Sequence, residues 1–186
     1  GWPAHMLIEL LTDQHLQLPM QCVLPTWQKY SELKWLACVN PPYQPCAEGL
    51  LQAGLDTKRF DVIRTQSKDT AWCLEQICQS SIMHSVLVWN DQSFTPTQLR
   101  RLQLACQHGK TQLFLVRNLY EIKHTSPALV RVKLVSDTTG FFVEIIKQPG
   151  AGPRSPIHIE TNLNWIKKPH PTQRKTSRFN IFQELH

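Results

Sequence analysis

The chain has 186 residues, 41% of them hydrophobic and 18% charged, and a formal net charge of +6. That length suits one well-buried core with appendages, and the composition is that of an ordinary soluble globular protein, which excludes a wholly disordered chain. The longest unbroken apolar runs, such as VLVW at 86–89, fall far short of the roughly 20 residues a transmembrane helix needs, so no membrane partner is expected.

Along the chain, MLIELL at 6–11 reads as a first strand, and the residues from Leu18 to Glu32 as a helix that Pro19 can begin and Pro25 should kink or interrupt. KWLACVN at 34–40 is the next strand, closed by the turn-rich PPYQP. A short helix in CAEGLLQAG ends near Gly54, and FDVIRT at 60–65 forms a third strand. Ser67 to Ser80 carries Ala71, Leu74, Ile77 and Cys78 at helical spacing. HSVLVWN at 84–90 is the strongest strand signal, because an unbroken apolar run suits a strand covered on both faces. In TPTQLRRLQLACQHG, Thr95 can cap a helix, Pro96 fits its first turn and Gly109 stops it. TQLFLVR at 111–117 completes a fifth strand. From Leu129 the rhythm changes to an antiparallel hairpin, LVRVKLVSD and FFVEIIKQ around TTG, expected to extend one edge of the sheet. After the break PGAGPRSP, IHIE offers a last short strand. Alternating strands and helices argue for an α/β protein with a mainly parallel sheet and helices on both faces.

Such a sheet places ligands beyond the carboxyl ends of its strands. The loop after the first strand, Thr12, Asp13, Gln14, His15, Leu16 and Gln17, is where a phosphate cradle would sit. A cradle needs glycines that let backbone N–H groups close on phosphate, a lysine, and a hydroxyl for magnesium. This loop has no glycine or lysine, and Asp13 would repel phosphate. Asn90 and Asp91 after the fourth strand could position magnesium, but Asn-Asp at a strand end is also ordinary turn chemistry. His5, His15, His84 and His108 are dispersed without a zinc-binding spacing, and there is no G-x-S-x-G. No catalytic residue, cofactor or metal is therefore expected.

The six cysteines include no C-x-x-C, and most sit in apolar patterns, which fits buried free thiols in a reducing cytoplasm better than a disulfide framework. Arg100 and Arg101 lie on a helix whose apolar stripe is Leu99, Leu102, Leu104, Ala105 and Cys106. They offer either a contact surface or an ordinary solvated face, which Arg117, Lys123 and Arg131 could extend. Trp27, Trp35, Trp72 and Trp89 lie in core-like patterns, whereas Trp2 and Trp165 are candidates for an interface. Five of the six net positive charges lie from Lys147 onward. Lys167, Lys168, Arg174, Lys175 and Arg178 thus form a basic arm for weak contact with DNA or another acidic partner, unless it is simply a solvated tail.

Taken in order, GWPAHMLIELLTD, VNPPYQPCAEGLLQAGLD, VLVW, LRRLQLACQHGKTQLFLVR, SPALVRVKL and VEIIKQPGAGPRSPIHI resemble the ImuA family, part of a RecA-like group that includes the cell-division inhibitor SulA. The resemblance implies a RecA-like three-layer core over residues 1–160 without a functional P-loop; the tail at 161–186 matches no family motif and reads from its composition as a basic, flexible arm. It further implies a non-catalytic role in the SOS DNA-damage response, supporting error-prone translesion synthesis through contacts with RecA and an ImuB-like polymerase homologue. SulA-like chains, which bind FtsZ and block its polymerisation, usually finish soon after the strand matching FLVR. The continuation here favours the ImuA-like reading. Arg100, Arg101, Arg117 and Trp165 are the expected partner-binding residues.

Overall fold

The computed structural model describes residues 2–14, 18–90, 92–150 and 155–160. Eight strands form one sheet in the order β3-β2-β4-β5-β1-β6-β7-β8. The first six are β1 (Leu7–Leu11), β2 (Trp35–Val39), β3 (Phe60–Ile63), β4 (Met83–Trp89), β5 (Gln112–Arg117) and β6 (Val130–Ser136), all parallel to their neighbours among these. β7 (Gly140–Lys147) and β8 (Ile157–Glu160) add antiparallel strands at the far edge. This is the expected α/β class, with one refinement: the hairpin joins the sheet through β6, which runs parallel to β1.

Two helices cover each face. α1 (Leu18–Tyr30) and α2 (Ala47–Gln52) lie on the side of Ile8, Leu10, Leu36, Leu87 and Phe114. α3 (Thr70–Gln79) and α4 (Pro96–Gly109) lie on the side of Leu7, Ala37, Val86, Leu113 and Leu115. The central strands are buried on both faces, which is why they read as continuous apolar runs with no period of two.

α1 runs through Pro25 uninterrupted. Pro25 lies on the exposed side of the helix, so the carbonyl it leaves without a donor faces water, which can satisfy it. α4 opens with the expected cap: Thr95 Oγ1 accepts from the Gln98 N–H, and Gln98 reaches back to the Thr95 N–H. At its other end the left-handed residue is Lys110, not Gly109. Gly109 serves a close approach, since a Cβ there would stand 1.7 Å from the Cys78 carbonyl oxygen of α3. The apolar stripe of α4 is also shifted from the expected one. Leu104 is 58% exposed, while Gln103 is buried and its Oε1 accepts the Leu7 N–H at 3.1 Å. Among the tryptophans, Trp27 and Trp89 are core residues as expected, but Trp35 is partly exposed and Trp72 is 64% exposed. The helical face of α3 that packs inward is Leu74 and Cys78, and Trp72 falls off that face.

All six cysteines are free, and Cys22, Cys38, Cys78 and Cys106 are buried. Burial pushes the Cys22 thiol up to about 12 and raises that of Cys38 further. Cys78 is raised by its contact with Cys106, 3.8 Å between sulfurs, and by burial. Thiolates are the reactive form, so Cys22, Cys38 and Cys78 should be inert, and burial shields Cys106 from reagents. A thiol-disulfide reagent added to native protein should therefore titrate exposed Cys46 quickly, half-buried Cys73 slowly, and the other four only after denaturation. Fast reaction of more than two thiols would contradict this packing.

Candidate functional site

The placement of helices creates two divergence points at the carboxyl end of the sheet. β2 leads into α2 on one face while its neighbour β4 leads into α4 on the other. Likewise β1 leads into α1 on the first face, while its neighbour β5 leads into a 3-10 turn (Leu119–Lys123) whose Glu121 packs on the second. Ligands of open α/β sheets bind in crevices of this kind.

The β1/β5 crevice is occupied by the protein itself. Thr12 is buried, and its N–H donates to the Arg117 carbonyl at 3.0 Å. The Gln14 N–H donates to Thr12 Oγ1 at 3.0 Å, and Gln14 Nε2 to Ser136 Oγ at 2.6 Å, tying the loop to β6. Asp13 is exposed. The Thr12 and Gln14 amides are thus spent on β5 and on the loop's own side chain. His15, Leu16 and Gln17 lie outside the described residues.

Beneath this loop sits a buried charge network. Glu9 is fully buried in the middle of β1. Its Oε1 accepts from Arg117 Nη1 at 2.9 Å and Ser126 Oγ at 2.7 Å, and its Oε2 from Arg131 Nε at 2.8 Å. Arg117 Nη2 also pairs with Glu121 Oε2 at 2.8 Å. Arg131 donates its remaining N–H groups to the carbonyls of Glu121 and His124, at 2.7 and 3.0 Å. Burial works against an ionised Glu121, but the Ser93 hydroxyl, His124 and Arg117 together hold its carboxyl below the usual range. Two carboxylates and two guanidiniums leave the cluster electrically balanced. It clamps the connection between β5 and β6 onto the α3/α4 face of the sheet.

This network corrects the expectation for Arg117, and for Arg131 beside it. Both side chains are buried, Arg117 being 7% exposed, and both are committed to carboxylates, so Arg131 offers no contact surface and Arg117 reaches only the wall of the β2/β4 crevice. Arg100 and Arg101 are exposed as expected, and Arg101 pairs with Glu75 of α3 at 2.6 Å. Lys123 is exposed. Trp2 is half-buried, its indole N–H donating to the Cys22 carbonyl at 3.2 Å. Trp165, Lys167, Lys168, Arg174, Lys175 and Arg178 lie outside the described residues, as does Asp91. The residues that sequence reading missed are Glu9, Glu121 and Ser126. A charge inside LIELL was the available signal.

The β2/β4 crevice is open, a cleft of about 620 Å³. Asn40, Asn90 and Asn118, each directly following a strand, line it together with Arg64, Ser93 and Tyr120. Their polar atoms are largely engaged. Asn40 joins the ends of β2 and β3 by exchanging bonds with Thr65, Nδ2 to Oγ1 at 2.8 Å and Thr65 N–H to Oδ1 at 2.8 Å. Asn118 caps the 3-10 turn by accepting the Tyr120 N–H at 3.1 Å. Arg64 donates to the Pro41 carbonyl. No glycine lines the cleft, so it offers no backbone nest for phosphate among the described residues. Tyr120 in its wall is 55% exposed, and Tyr43, just past the lining residue Pro42, is 73% exposed. Arg117 and Glu121 of the buried network also line this cleft, and exposed tyrosines at its rim suit contact with another protein. No group of three or more potential metal ligands occurs among the described residues, and no helix there is long and apolar enough to cross a membrane.

These features define a parallel-sheet α/β protein in which the described part of one strand-end loop is bonded to the protein itself and the other crevice is left open. No protein-family model and no curated protein matches the sequence. Among solved structures, the crystal structure of SulA from Pseudomonas aeruginosa is similar, with 23% identity over 62% of this chain and 99% of that one and a TM-score of 0.49.

Proposed function

We propose that this protein is a non-catalytic accessory factor of the DNA-damage response, ImuA-like, that supports error-prone translesion synthesis by holding RecA and a polymerase-like partner. The observation that supports the non-catalytic part is the described part of the β1 loop: Thr12 and Gln14 spend their amides on the protein, and the nearby Arg117 is neutralised by Glu9 and Glu121. What remains available is surface, including the tyrosine-rimmed cleft and the exposed arginines of α4. The ImuA-like reading over the SulA-like one is supported by β6, β7 and β8. The segments SPALVRVKL and VEIIKQ, where the ImuA resemblance continues, supply strands of the same sheet and, in Arg131, a member of its buried network.

The test mixes purified protein with FtsZ and GTP and follows polymerisation by light scattering, beside capture assays with RecA and an ImuB-like polymerase. Unchanged scattering together with capture of either DNA-repair partner is expected. Loss of polymerisation at near-equal stoichiometry would replace this reading with a SulA-like one, and binding of fluorescent ATP would reopen an enzymatic one.

A further inference from the structure

At the end of the sheet opposite the strand-end crevices, a second cavity of about 310 Å³ lies between the N-terminal segment, α1 and the first residues of β4 and β5. Its walls include Trp2, His5, Lys29, Tyr30, His84 and Gln112. These residues are held in place from several directions. The Tyr30 and His84 rings meet at a tilt of 47° with centroids 4.2 Å apart, and Lys29 Nζ lies 5.4 Å from the Tyr30 ring centre. Trp2 meets Phe114 edge-on at 5.5 Å. Gln112 Nε2 donates to the Pro3 carbonyl at 2.8 Å, pinning the N-terminal segment beside the cavity, and His5 turns that segment with a left-handed φ of 59°. A non-glycine residue in that conformation is uncommon.

The electrostatics of the cavity are one-sided. Lys29, His5 and His84 face it, Lys34 acts on His84 from the turn after α1, and none of the described lining residues is acidic. Burial first, then the positive fields of Lys34 and His5, lower the pKa of His84. Lys29 has no carboxylate beside it among the described lining residues, and an anion is the group that would pair with it and favour the imidazolium form of His84. The walls add aromatic surface on which a planar ring can lie. Gln112 Oε1 is buried without a hydrogen-bond partner, an acceptor that suits an N–H on the ring and not the phosphate.

The geometry points to a binding site for a phosphate carried on a planar ring. The ring lies against Trp2 and Tyr30, and the phosphate sits among Lys29, His5 and His84. Two sources share this chemistry, simple aryl phosphates and nucleoside monophosphates. The site is independent of the partner contacts proposed above, since it lies at the other end of the sheet.

The test uses phenyl phosphate as probe, with intrinsic tryptophan fluorescence reporting through Trp2, and compares it with adenosine monophosphate and inorganic phosphate. Saturable binding of phenyl phosphate is expected, at least tenfold tighter than inorganic phosphate. Lys29→Ala, an exposed change that leaves the core intact, and His84→Gln should each weaken it about tenfold. Lys123→Ala, an exposed cation at the opposite end of the sheet, should leave it unchanged. The His84 ring proton resonance should titrate at higher pH when the probe is bound, because the phosphate favours the imidazolium against Lys34 and His5. Binding by adenosine monophosphate would assign the site to nucleotides, and its failure beside a positive phenyl phosphate result would assign it to smaller aryl phosphates. The proposal is overturned if phenyl phosphate does not bind, if inorganic phosphate binds equally well, or if Lys29→Ala and His84→Gln bind like the parent protein.

Discussion

Replacing Glu9 with alanine is expected to destabilise the protein by about 3–5 kcal/mol, because it strands buried guanidinium charge in a site that excludes water. In the intact fold Glu9 accepts from Arg117, Arg131 and Ser126. Without it, Arg117 retains Glu121, but Arg131 keeps only the carbonyls of Glu121 and His124. One positive charge then has no compensating carboxylate. Urea unfolding monitored by tryptophan fluorescence should show a lower midpoint at an unchanged slope. A paired change separates the cost of an orphaned charge from the worth of the ion pair. Glu9→Leu with Arg131→Met removes one charge of each sign and leaves Arg117 with Glu121. That double variant should recover more than half of the loss, as replacement of buried pairs by apolar groups does elsewhere. If the double variant is as unstable as the sum of its single changes, the network contributes through its hydrogen bonds and not through charge balance. A loss under about 1 kcal/mol for Glu9→Ala would mean that water reaches the cluster.

The same residues show what could be read from sequence and what could not. Strand positions were legible because β1, β4 and β5 are apolar throughout, and α4 announced itself by Thr95, Pro96 and Gln98. The absence of a phosphate cradle was legible too, as a lack of glycine and lysine in a short loop. The reason the loop is closed was not. Thr12 bonds to the carbonyl of Arg117, and Glu9 pairs with residues 108 and 122 positions away along the chain. No local pattern carries that information. Arg117 therefore looked like a surface cation at a strand end, when the strand ends beneath a covering turn. Trp72 and Leu104 failed in the other direction: apolar residues in helical runs looked like core, but at roughly 100° per residue each falls nearly opposite the inward face of its helix. The open cleft shows an intermediate case. Asn after three strands was visible in VN, WN and RN, yet only the order β2-β4-β5 brings those three ends side by side.

Trp27→Ala is expected to cost about 3–5 kcal/mol, and its effect should be independent of the Glu9 network. Trp27 is fully buried at the centre of the α1 face, where it meets Phe60 edge-on at 5.6 Å and its indole N–H donates to Ser85 Oγ at 2.8 Å. Alanine leaves a large cavity and also removes the partner of a buried hydroxyl, so two separate penalties combine. Trp27→Phe keeps most of the apolar volume and loses only the N–H, and should cost clearly less. Trp27 fastens α1 to β4, and α1 also supplies Lys29 and Tyr30 to the cavity at the strand starts. Trp27→Ala should therefore reduce phenyl phosphate binding through misplacement of α1, while Glu9→Ala should not. The two changes act on opposite faces of the sheet and share no partner, since strand alternation sends Glu9 toward the α3/α4 side. Their stability losses should add to within about 0.5 kcal/mol in the double variant. A larger deviation would mean that the sheet transmits strain from one face to the other, and the closed crevice and the cationic cavity would then have to be treated as one coupled system.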